Sequence, residues 1–329
     1  MLKNVLDTDL SGKVAVVTGA GGVLCSDMAK VLARAGAKVA LLNRTVSKAQ
    51  VYADEITAGG GTAKAYPCNV VDAASCHAAA AAVLADFGPC DILVNGAGGN
   101  DPMATTDKEY YEPGDRENEA VRSFFDLSPE AVTGVFDLNF LGAILPTQAF
   151  VPQMLGRSGC CILNISSMNA YTPLTKIPAY SGAKAAVTNL TQWLAVHFSR
   201  QGIRVNAIAP GFFAAGQNQQ LLYNPDGTPT ARTGKILAAT PHGPLRRQPR
   251  AGRRAAVPRQ RCRRQLYHRR HFAGGRRFLG LFRRIKPCGT LFFIPHAWLA
   301  PGAGAFFAPK QKPSGKVYFS GRDVWTSVM

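Results

Sequence analysis

Short apolar runs alternate with longer stretches in which apolar residues recur every three or four positions. This rhythm holds from residue 13 to residue 209. Residues 13–18 (KVAVVT), 38–42 (KVALL), 63–70 (AKAYPCNV), 91–95 (DILVN), 160–166 (CCILNIS) and 204–209 (RVNAIA) are rich in β-branched and apolar side chains. Such runs fill strands that are covered on both faces. Between them, SDMAKVLARAGA, the alanine-rich residues 73–87, the segment around FDLNFLGAI, and AKAAVTNLTQWLAVHF read as helices. Strands alternating with helices predict an α/β fold: a doubly wound parallel sheet of the Rossmann type with helices on both faces. Residues 99–128 break the rhythm with a polar, acid-rich insertion. It is far longer than the roughly 2–6 residues of an ordinary strand-to-helix connection. Long loops at the carboxyl edge of a parallel sheet tend to carry substrate contacts.

Charge divides the chain where the pattern fades. The net charge is +18 over 329 residues, but the first 226 residues carry 16 basic and 19 acidic side chains. From Gly227 onward there are 22 basic residues and one acid, Asp323. A near-neutral, enzyme-like body is thus joined to a very basic tail. With 47% hydrophobic residues the body has ample material for a core. Eight cysteines lack CxxC spacing, which points to reduced thiols in a cytoplasmic protein rather than a disulfide framework, and to no metal site. His77 reads as an exposed helix residue rather than a ligand. The opening MLKNVLDTDLSGK has no apolar segment of the signal-peptide kind. Residues 287–309 lack charged side chains and are long enough to cross a bilayer, but four prolines argue against a span, so no membrane association is expected.

Candidate chemistry concentrates in two places. Residues 13–18 run into Gly19-Ala20-Gly21-Gly22-Val23 and then a helix. Strand, glycine turn and helix start together make an anion site, because backbone N–H groups and the helix dipole face a pyrophosphate. The strand at 38–42 is followed by Asn43-Arg44 and no acid. An acid there would bind the ribose hydroxyls of NAD, whereas Arg44 suits a 2′-phosphate and leans the reading to NADP; the alternative is a solvated loop arginine. Second, Tyr180 and Lys184 stand four apart at the head of a helix, so they share a face. An ammonium beside a phenol favours phenolate and lowers the tyrosine pKa. A phenol so tuned gives or takes a proton at a carbonyl or carbinol oxygen, and Ser167, at a strand end, is placed to donate to the same oxygen. The plain alternative for this Tyr/Lys spacing is surface decoration.

Taken in order, these motifs over residues 10–241 resemble the short-chain dehydrogenase/reductase family. The resemblance implies that Ser167, Tyr180 and Lys184 are catalytic, and that Asn139, in FDLNFLGAI, helps hold a proton-relay water. It implies that Asn69 and Val70 lie near the adenine. Asn95-Gly96-Ala97-Gly98 corresponds to the family's NNAG element beside the cofactor, and Pro210-Gly211 lies by the nicotinamide. The glycine pattern departs from the family's TGxxxGxG: Val23 and Cys25 stand at its second and third glycines. Residues 212–241 would form a substrate lid. The insertion, NFLGAILPTQAF, SSMNAYTPLTKIPAYSGAK and APGFF together resemble the D-mannonate oxidoreductase (fructuronate reductase) branch. That branch implies a small-molecule sugar-acid substrate. Asn100, Lys176, Gln217 and Asn218 are candidates for its polar groups, against the alternative that they are loop or cap residues.

The family ending is missing. Residues 245–285 contain fifteen arginines and no acid, with no amphipathic period. Reading residues 265–285 one base forward through the degenerate code permits NFITGVTLPVDGGFSAYSGV followed by a stop, the family's last strand and terminus. Residues 242–329 are therefore expected to be out of frame after a one-base insertion or two-base deletion near codon 241. In the family the lost region supplies the last strand, the helix before it and the oligomer interface, so this chain should have an uncovered sheet edge. The rival reading is a catalytically dead, basic protein whose arginine-rich tail, interleaved with aromatics, binds nucleotide or nucleic acid non-specifically. No specific nucleic-acid partner is expected.

Overall fold

Six strands lie parallel in one sheet. They are β1 (Val14–Thr18), β2 (Lys38–Asn43), β3 (Thr62–Pro67), β4 (Ile92–Asn95), β5 (Cys161–Ile165) and β6 (Arg204–Ala209). A seventh, β7 (Phe292–Ile294), pairs antiparallel with Ala207–Ala209. The computed structural model describes residues 9–172, 174–212, 222–238 and 292–294, all within the first of two units, Met1–His296. The sheet order is β3-β2-β1-β4-β5-β6-β7. The chain winds outward one way from β1 to β3 and then the other way from β4. The switch point therefore lies between β1 and β4, and a crevice opens beyond their carboxyl ends.

Both faces of the sheet are covered, as the uninterrupted apolar strands require. On one face pack α1 (Val23–Arg34) and α2 (Val46–Ala58), through Met28, Leu32, Ala49, Ala53 and Ile56. On the other lie α3 (Ala73–Phe87), α5 (Gly142–Phe150) and α6 (Pro178–His197), through Cys76, Val83, Phe150 and Leu194. The helix carrying Asn139 is not regular. Between α4 (Pro129–Phe136) and α5, residues Asp137–Leu141 form a π turn. Pro146 inside α5 lacks the N–H that would reach back to Gly142, so the ladder is already broken there. The run Pro129–Gln153 has the length and apolarity of a membrane span, but half of it is buried against the rest of the protein.

At the amino end of the sheet, Asp91 ties three segments together. Its buried carboxylate accepts from Lys13 Nζ (3.0 Å), the Val14 N–H (2.9 Å) and Arg157 Nη2 (2.8 Å). Asp91→Ala strands the Val14 donor and two cations, and should cost about 2–4 kcal/mol, read as a lowered urea midpoint at unchanged slope.

Two expectations change. β3 ends at Pro67, so Asn69 and Val70 lie past the strand, in the turn capped by Asp72. The outer edge of β6 is not bare: the short β7 satisfies part of its backbone, which an exposed edge strand would otherwise leave unpaired.

Candidate active site

A cavity of about 700 Å³ occupies the switch-point crevice. Its floor is the turn Gly19–Gly22, closed by the Gly22 N–H donating to Gly19 O at 2.9 Å. Gly22 is the N-cap of α1, and neither a capping side chain nor an acid sits in the first turn. The amino end of a 12-residue helix thus faces the cavity with uncapped N–H groups, a ready site for a phosphate. Asn43, Arg44 and Lys48 line one wall, Asn69 and Val70 another, and the Gly96–Asn100 bend the third. Arg44 and Lys48 are exposed and have no ion-pair partner among the described residues. The sequence reading missed Lys48, which reaches this wall because α2 starts at Val46 and puts it in the first turn.

The second cluster sits at the carboxyl end of β5. The Ser167 side chain lies against Tyr180, close enough to favour its ionised form, and its Oγ accepts the Asn169 N–H at 3.2 Å. Lys184 is buried, donates from Nζ to Ile165 O (2.8 Å), and stands 5.6 Å from the Tyr180 ring centroid. Register between β5 and α6 is held by side chains: Ser166 Oγ reaches Lys184 O (3.2 Å) and Thr188 Oγ1 (2.7 Å), and Asn164 Nδ2 donates to Thr191 Oγ1 (2.9 Å). Strand end and helix are thereby locked with Ser167, Tyr180 and Lys184 together.

The electrostatics differ from the sequence expectation. Burial pushes Tyr180 above the ordinary phenol value, and the Ser167 side chain pulls it back; Lys184 is not the group that lowers it. The Lys184 ammonium is turned to the Ile165 carbonyl and the Tyr180 ring face. Burial in turn pushes Lys184 down to about 8, opposed by the nearby Cys25 thiol. At neutral pH Lys184 still keeps most of its charge.

Gly98 joins the two clusters. A Cβ there would lie 2.6 Å from Asn139 Oδ1 and 3.1 Å from Lys184 Nζ, so only glycine lets the cavity wall meet the lysine. Asn139 is buried in the π turn. Its Nδ2 donates to Gly99 O (2.7 Å) and Val135 O (2.8 Å), and its Oδ1 accepts from the Gly99 N–H (3.3 Å). Its two amide hydrogens are thus committed to Gly99 in the bend and Val135 in α4. Pro210 O accepts the Met168 N–H at 3.0 Å, which brings Pro210-Gly211 beside Ser167.

Other assignments fare differently. Asn95 does not reach the cavity: its buried Nδ2 donates to Thr147 Oγ1 and Asn164 Oδ1, both at 2.9 Å. Asn100 lines the cavity, with Nδ2 on Thr105 Oγ1 (2.8 Å). Lys176 Nζ is taken by Asp107 O, and Thr106 N–H donates to Lys176 O (3.0 Å). Lys176 therefore stitches the insertion to the loop before α6. The insertion is also pinned from the lid side, where Lys235 of α7 (Ala231–Ala238) pairs with Glu109 at 2.7 Å. Gln217 and Asn218 lie outside the described residues. His77 is exposed, and no cluster of metal-ligating side chains occurs among the described residues.

A family model described as short chain dehydrogenase matches residues 13–225. The chain belongs to the short-chain dehydrogenase family. An uncharacterized oxidoreductase of Haemophilus influenzae is 54% identical over 235 residues, covering 71% of this chain and 82% of that protein. The Bacillus subtilis oxidoreductase UxuB is 52% identical, with 72% and 84% covered. Among solved structures, a candidate D-mannonate oxidoreductase from Haemophilus influenzae with bound NAD is 53% identical. It superposes with a TM-score of 0.70 over 73% of this chain and 85% of its own. A candidate NAD(P)-dependent gluconate 5-dehydrogenase from Beutenbergia cavernae with bound NADP is 30% identical, with a TM-score of 0.59 over 73% and 86%. As a short-chain dehydrogenase the chain is an oxidoreductase of the nicotinamide-cofactor type.

Proposed function

We propose that residues 10–241 form a reductase that reversibly converts the ketone of a keto sugar acid, of the D-fructuronate/D-mannonate type, to the alcohol. The observation that carries the chemistry is Ser167 beside Tyr180 with Lys184 beneath the same ring, one glycine away from the cofactor cavity. When bound, the nicotinamide supplies or accepts the hydride. Tyr180, held protonated by burial, gives its proton to the forming alkoxide oxygen and takes it back in the oxidation direction. Ser167 donates to the same oxygen and orients the carbonyl. Lys184 holds positive charge below the phenol, stabilises the phenolate that follows proton transfer, and stands behind Gly98 of the cavity wall, from where it would reach the nicotinamide ribose. Asn139 acts through the π turn it fixes, with the backbone there supporting the proton path.

The sugar-acid reading is supported by the D-mannonate oxidoreductase neighbour at 53% identity and by the polar insertion pinned over the site. Asn100 faces the cavity and is the described residue best placed for substrate hydroxyls; Lys176 is committed to the insertion's backbone. The test is oxidation of reduced cofactor across a panel of keto sugar acids and plain ketones. Keto hexuronates should be favoured about a hundredfold in kcat/KM; equal rates on plain ketones overturn the assignment. A cytoplasmic setting is supported by the six described cysteines, all buried and reduced, including Cys68 and Cys76 with sulfurs 4.0 Å apart and unbridged.

NADP is the cofactor form that Arg44 and Lys48 suit, two cations at the carboxyl end of β2 with no acid on that wall. Replacing both by alanine should raise KM for NADPH at least about tenfold and leave NADH within about twofold. A preference for NADH in the parent enzyme overturns this choice.

A further inference from the structure

Two residues at which the sequence departs from the family pattern meet in space. Cys25, in the first turn of α1, has its sulfur over Gly96, in the bend after β4. A Cβ built on Gly96 would lie 2.2 Å from Cys25 Sγ and 3.1 Å from Thr18 O. Gly96 is not in the left-handed backbone region, so conformation alone permits a side chain there; the cysteine is what forbids it. Cys25 is 4% exposed and borders the cavity. Two residues further along the same bend, Gly98 meets Lys184 Nζ, so the sulfur and the ammonium lie behind one stretch of cavity wall. The bend itself is clamped at both ends. Thr18 Oγ1 accepts the Gly96 and Ala97 N–H groups at 3.0 and 3.2 Å, and Gly98 abuts Asn139 and Lys184. Burial pushes the Cys25 thiol up to about 12, so it is a neutral filler rather than a nucleophile.

We propose that Cys25 is a positioning residue whose sulfur, seated in the space left open by Gly96, sets where the Gly96–Gly98 bend lies against Lys184 and so fixes the pose of the bound dinucleotide. The pair is reciprocal: a side chain at 96 requires a smaller residue at 25, and an empty 25 lets the bend sag toward α1. This rests on the cofactor-binding reading above and adds a residue pair to it.

The experiment is a double-mutant cycle on the full chain, read by reduced-cofactor fluorescence titration and, separately, by thermal melting without cofactor. Gly96→Ser should weaken cofactor binding at least about tenfold and lower the melting temperature, because the new side chain collides with Cys25. Adding Cys25→Gly should restore binding to within about threefold of the parent and recover the melting temperature. Cys25→Ser, which keeps the volume, should bind cofactor within about twofold of the parent. A Gly96→Ser variant that behaves like the parent, or one that Cys25→Gly makes worse additively, overturns the proposal. If the parent chain binds no nicotinamide cofactor, the functional reading fails while the melting cycle still decides the steric pair. If the parent binds and the cycle shows no rescue, the pair alone is wrong.

Discussion

Tyr180→Phe is expected to reduce turnover about a thousandfold, the scale of losing a positioned general acid, while leaving the fold and cofactor binding intact. The ring packs with Ala179, Ala183, Val135 and Ala104, and phenylalanine keeps that contact. What is lost is one hydroxyl, the one that Ser167 stands beside. The measurement is single-turnover oxidation of reduced cofactor in the presence of keto sugar acid, beside cofactor titration and thermal melting. A rate within tenfold of the parent would remove Tyr180 from the chemistry. The pH dependence adds a second readout. Tyr180 is raised and stays protonated through the neutral range, whereas Lys184 lies at about 8. Ketone reduction should therefore hold up to neutral pH and fall as pH rises past about 8, where the charge beneath the phenol is lost. Lys184→Met should lower the rate throughout and erase that alkaline limb.

Recoding the chain after Pro241 in the next reading frame is expected to have the other large effect. We propose that residues 242–329 are an out-of-frame ending on a domain that stops at about residue 241. The family match ends at residue 225, and the similarity leaves the remaining part of each relative unmatched. Residues 245–285 hold fifteen arginines, no acid and no apolar period, so their sequence offers no continuous apolar face. The literal ending gives β6 only the three residues of β7 in place of the longer last strand and its helix. The shifted ending should raise the melting temperature by more than about 10 °C, several kcal/mol for a domain of this size, and raise the yield of soluble, active enzyme. Sequencing the gene from codon 230 to codon 290 checks the premise: the shifted frame should spell VDGG and then stop. A literal chain as stable and as active as the recoded one would sink the idea.

Much of this protein follows from local pattern. The parallel sheet was readable because strands buried on both faces are continuously apolar at their centres, as 14–17 (VAVV) and 39–42 (VALL) are. The glycine turn and the Tyr180/Lys184 spacing were readable because helix periodicity and backbone N–H geometry are short-range rules. Arg44 was visible at a strand end, while Lys48 needed the start of α2 to be placed.

Tertiary structure alone decided the rest, because it depends on groups distant in sequence meeting in a dry interior. Asn95 turned from cofactor ligand to buried strut once Thr147 and Asn164 came within 2.9 Å. Lys176 was spent on Asp107, and the Asn139 amide on Gly99 and Val135. The tyrosine pKa was reversed from expectation because burial, which no spacing rule reports, outweighs the opposing pull of Ser167 and the lysine charge does not lower it. Cys25 and Gly96 look like two unrelated departures along the chain. Only the fold, by placing a sulfur 2.2 Å from a missing Cβ, makes them one feature.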